Sequence, residues 1–81
     1  MTTVAEVLAY LNARLAEEEH RMKLAEQWRD TELRFWGGDS AEEPVRRVVQ
    51  AHFLTRFLPP SDRAHLLRET IEAVQLGGVA L

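Results

Sequence analysis

From residue 4 to residue 36 the chain contains neither glycine nor proline, and no other feature limits its fold as strongly. The stretch opens on Thr3-Val4-Ala5-Glu6, a capping box in which the threonine hydroxyl takes the Glu6 amide and the carboxylate reaches back. A helix of about 33 residues is roughly 50 Å long at 1.5 Å per residue. Glu17–Arg21, Glu19–Lys23 and Asp30–Arg34 each set an acid four residues before a base, which supports helix through the most polar part.

Two joints follow. Gly37-Gly38-Asp39-Ser40 is the first and Pro59-Pro60-Ser61-Asp62 the second, while Gly77-Gly78 closes the last periodic segment. Ser40-Ala41-Glu42-Glu43 reads as a second capping box, with Pro44 inside the first turn, where proline is tolerated. Val45, Val48, Val49, His52 and Phe53 share a face of this second helix, which the double proline is expected to end. A third helix, capped by Ser61 or Asp62, would bury Leu66, Leu67, Thr70, Ile71 and Val74 and stop at Gly77. The apolar tail Val79-Ala80-Leu81 is expected to dock or to fray. The expected fold is all-α: one domain over 1–81, with a long helix at about 3–36, then a helical hairpin at about 41–58 and 62–76, assembling as a helical bundle.

The long helix is apolar on two sides. At 100° per residue Val4, Val7, Leu8, Leu11, Leu15, Met22, Ala25, Leu33 and Trp36 form one stripe, interrupted by Glu18 and Arg29. Tyr10, Leu24, Trp28 and Phe35 form a second. A short hairpin does not cover both, so self-association as a homodimer or higher even oligomer is expected. The candidate protein interface is Leu11, Leu15, Glu18, Met22, Ala25, Trp28, Arg29, Phe35 and Trp36. An antiparallel pair of first helices would set Glu18 against Arg29, Met22 against Ala25 and Leu11 against Trp36.

The remaining chemistry is thin. With no cysteine there is no disulfide, thiolate metal site or thiol nucleophile. Glu17-x-x-His20 has the spacing of half a carboxylate-bridged di-metal site, but such sites need a second copy of the motif and further carboxylates. His65 and Glu69 are one turn apart and read as a surface ion pair; His52, among apolar neighbours, reads as a hydrogen-bonded core histidine. The Gly37-Gly38-Asp39-Ser40 turn lacks the lysine and strand of a phosphate loop. No enzyme, cofactor or metal is expected. Net charge is −3 and each half is mildly acidic, which counts against nucleic acid. A DNA-binding regulator using the second and third helices is one alternative, though Glu69 and Glu72 sit on the wet face of the third; a carboxylate–histidine metalloprotein is another. With neither a leader-like start nor an apolar run of membrane-spanning length, the expected address is cytoplasmic.

Residues 7–19 (VLAYLNARLAEEE) resemble the opening of a family of short actinobacterial and actinophage proteins of unknown function, which begin with a leucine-rich helix followed by a tryptophan, here Trp28. Residues 52–74, with SDRAHLLRE at 61–69, are similar to that family's C-terminal Leu/Arg/Glu helix. Nine arginines to one lysine agree with a GC-rich source. The resemblance implies a small helical protein and no assigned activity. The function expected is that of a helical interaction module, self-associating and binding or inhibiting a protein partner, with a phage-encoded effector on a host protein as one form.

Overall fold

The structure, a computed structural model, describes residues 2–77; Met1, Gly78 and the tail at 79–81 lie outside them. Two long helices pack side by side as a hairpin of 56 × 16 × 15 Å. The first, α1, is Val4–Phe35. A short 3-10 turn, Gly38–Ser40, leads into α2, Glu43–Gln75. Among the described residues there is no strand.

α1 begins where the capping box put it, with the Glu6 amide donating to Thr3 Oγ1 at 3.1 Å. It ends in two glycines with left-handed backbone, Gly37 at φ 115° and Gly38 at φ 60°, a region most side chains avoid. The acid-before-base pairs expected along it are replaced by others: Arg14 with Glu17 at 2.6 Å and Arg21 with Glu18 at 2.6 Å, while Arg34 Nε donates to the Asp30 carbonyl. The second capping box does not form. Ser40 belongs to the 3-10 turn, and Glu42 precedes α2 without a side-chain cap. Arg46 holds the turn instead. Its guanidinium donates to the carbonyls of Asp39 at 2.7 Å, Ala41 at 2.9 Å and Gly38 at 3.2 Å.

The main correction concerns the second and third helices, which are one. Pro59 and Pro60 lie inside α2, and the cap residues Ser61 and Asp62 are part of its run. A proline ring fixes φ near −65°, which suits a helix; the cost is a lost amide donor and crowding against the carbonyl four residues back. The Thr55 and Arg56 carbonyls therefore have no proline amide to accept from. α1 outweighs this by offering an unbroken rod. Pro60 is buried, and Phe53, Phe57, Ala64, Leu67, Ile71 and Val74 carry the packing past the prolines on both sides.

The seam between the rods follows heptad spacing. On α1 residues 8, 11, 15, 18, 22, 25, 29 and 32 alternate by three and four, the period of a seam that keeps facing its partner. On α2 the run is 49, 53, 57, 60, 64, 67, 71 and 74, with two successive steps of four just before the prolines. That extra advance is a stutter, which locally unwinds the supercoil. In this frame Glu18 and Arg29 are not interruptions; both are seam positions. Glu18 is wholly buried, and Arg29 lies 4.6 Å from the ring centre of Phe53.

Candidate protein interface

A helical hairpin has two kinds of surface: the seam, and the flanks left uncovered. Here their contents are unusual. The largest fully buried side chain is Glu18, and Ala25 and Ala64 stand among the buried seam residues. Large apolar groups lie outside: Phe35 is 77% exposed, Trp36 53% and Val48 59%.

The buried carboxylate is held by arginines of both helices. Arg21 approaches Glu18 Oε1 at 2.6 Å, and a guanidinium nitrogen of Arg14 lies 3.8 Å from the same oxygen. From α2, Arg63 Nε stands 3.0 Å from Oε2 but off the hydrogen-bonding direction, so the contact is one of charge. The arginines keep 39–50% of their side chains in water. Arg68 and Glu19, at 3.5 Å, form a second bridge across the helices on the surface.

The nine candidate interface residues separate into two groups. Leu11, Leu15, Glu18, Met22, Ala25 and Arg29 occupy the seam against α2 of the same chain, so the cross-chain Glu18–Arg29 pairing would require the hairpin to open. Trp28, Phe35 and Trp36 remain at least partly uncovered, as do Tyr10 and Leu24 of the second stripe.

At the turn end these aromatics meet α2. Trp28, Trp36, Pro44, Val45, Val48 and His52 line an apolar groove of about 410 Å³, with Glu32 at its edge. Trp28 is its floor. The Arg56 guanidinium stacks 4.4 Å above the indole, and the His52 ring centre is 6.3 Å away. Stacking of this kind fixes the ring without covering its edge. Phe35 meets Trp36 edge to face, with 5.2 Å between ring centres.

The α2 half of this groove was not among the interface expectations. Val45, Val48, His52, Val49 and Phe53 were read together as one inward face. In fact Val49 and Phe53 turn into the seam, whereas Val48 and His52, one position earlier, point to water. His52 is thus an exposed groove residue and not a core histidine. The available signal was width: five positions cover more of a helix than a single partner rod can bury.

The other candidate chemistry remains dispersed. Glu17 and His20 are exposed on α1. His65 and Glu69 pair at 3.0 Å with both side chains largely in water. Among the described residues no three histidine, aspartate or glutamate side chains gather as a metal site. No described helix is long and apolar enough to cross a membrane. The second and third helices expected for a DNA-binding regulator are parts of the single helix α2, with no turn between them. No protein-family model matches this chain, and neither the curated proteins nor the solved structures contain a match to it.

Proposed function

We propose that this chain is a helical protein-interaction module that self-associates through the uncovered face at the turn end of the hairpin. The observation that carries the reading is the groove itself, in which Trp28, Trp36, Val45 and Val48 lie open between two rigid helices. The occupant is a second copy of the chain, giving a four-helix arrangement in which aromatic edges and valines of one hairpin meet those of the other.

Two further arguments favour a second copy. The chain exposes 5997 Å². A compact monomer of its 9.3 kDa mass would expose about 5000 Å². The excess of roughly 1000 Å² belongs to an elongated pair of rods, 56 × 16 × 15 Å, that has no second layer against it. In addition, Phe35, Trp36, Val48 and Leu66 are each more than half exposed, outside a seam that buries Val49, Phe53, Ile71 and Val74 beside two alanines and a carboxylate. Two rods need a second layer to bury them.

Sedimentation equilibrium tests the reading. Wild-type protein is expected to sediment as twice its chain mass at tens of micromolar. Trp36→Glu and Val48→Glu, both on the open face, are expected to shift the protein to single chains with unchanged helical circular dichroism. Variants that associate as tightly as wild type would remove this face from the account.

A further inference from the structure

The groove does not end at Trp28. Arg56, which covers the indole, also lines a depression with Arg21, Leu24 and Ala25. Arg21 in turn meets Arg14 and Arg63 around Glu18. A continuous strip therefore runs from the middle of the hairpin to its turn end, basic in one half and apolar in the other. Four arginines against Glu17 and Glu18 leave +2 on the basic half, so a chain of net charge −3 carries −5 elsewhere. The positive charge is concentrated where the apolar surface begins.

We infer that the basic half of this strip, which the self-association groove leaves open, receives an acidic amphipathic helix of a protein partner, with carboxylates on Arg14, Arg21, Arg56 and Arg63 and apolar side chains over Leu24. The inference rests on the interaction-module reading but not on self-association. Three features of the surface fit. A guanidinium has five donors, and one buried carboxylate shared by three arginines leaves most of them free for incoming carboxylates. The strip follows the axes of two long helices, so its natural occupant is another helix, read through apolar positions spaced three and four apart. Arginines from both helices meet around one carboxylate, so the positive charge spans the seam. Nucleic acid is the poorer fit: a phosphate chain gains nothing from Leu24, and it would meet the −5 carried by the rest of the molecule.

The test uses the full chain and three probes: a synthetic Leu/Glu amphipathic helix of about six turns, its twin with lysine in place of glutamate, and a single-stranded oligonucleotide. Binding is read by calorimetry and by tryptophan emission, since Trp28 lies in the strip. The Leu/Glu helix is expected to bind, the lysine twin is not, and the affinity is expected to fall as salt rises. Arg56→Glu, which leaves the Glu18 cluster intact, is expected to weaken binding at least about tenfold, the usual scale for reversing a contacting charge. Arg21→Gln is expected to weaken it less. Both variants should keep the wild-type helical signal. Equal binding of the lysine twin, tighter binding of the oligonucleotide, no effect of Arg56→Glu, or no binding of the Leu/Glu helix at about 1 mM would each overturn the inference. Loss of self-association with the peptide still bound would instead count against the dimer alone.

Discussion

Glu18 shows why a residue's place in the seam matters more than its hydropathy. It is fully buried, yet its arginine partners are 39–50% exposed and can return to water if the carboxylate is removed. Buried ion pairs contribute little net stability, because desolvation offsets most of the attraction. Because those arginines rehydrate when the carboxylate is removed, Glu18→Leu is expected to change stability in urea unfolding by less than about 1 kcal/mol, the scale of solvent-exposed ion pairs. A loss above about 1 kcal/mol would show that the cluster stabilises the hairpin outright. Arg46 behaves differently, because its three acceptors are backbone carbonyls of the turn. Arg46→Ala is expected to cost about 1–3 kcal/mol in urea unfolding, with Arg46→Lys recovering little, since one ammonium cannot span the same fork. Neither role was legible in the sequence. The stripe set Glu18 against Arg29 of a second copy and not against arginines of its own hairpin, and nothing local marks Arg46 as the clamp of a turn five to eight residues before it.

At the scale of elements, α1 was legible nearly to the residue. Its start is marked by a local cap, its end by two glycines, and nothing between interrupts it. The break in α2 was misread because proline is a local signal while helix continuity is a tertiary one. Ser61 and Asp62 would cap a new helix well in isolation, but packing along α1 outweighs the missing amides. The two prolines are not equivalent. Pro60 is buried in the seam, whereas Pro59 is exposed. Pro59→Ala restores an amide donor opposite the Thr55 carbonyl and removes no packing. It is expected to raise stability by up to about 3 kcal/mol, the helix-interior penalty of proline, read as a higher thermal midpoint with unchanged far-ultraviolet signal. An unchanged or lower midpoint would mean that the helix bends at Pro59 for a packing reason elsewhere.

For the whole molecule, the sequence supported an all-helical chain with more apolar surface on its first helix than a short hairpin could hide. The structure keeps that conclusion and moves its location. The stripe expected to meet another chain is filled by α2, made long enough by its unbroken passage through the prolines. Among the surfaces left uncovered is the flank at the turn end, where Trp28 and Trp36 of α1 meet Val45 and Val48 of α2. Half of that face could not be read from sequence, because assigning Val48 to water and Val49 to the seam requires knowing where the second rod lies. The most direct test is small-angle X-ray scattering over a concentration series. Forward scattering equal to twice the 9.3 kDa chain mass, collapsing to one chain in Val48→Glu, is the predicted result. Scattering from a single chain at every concentration, with a radius of gyration near the hairpin's own 17.7 Å, would contradict it.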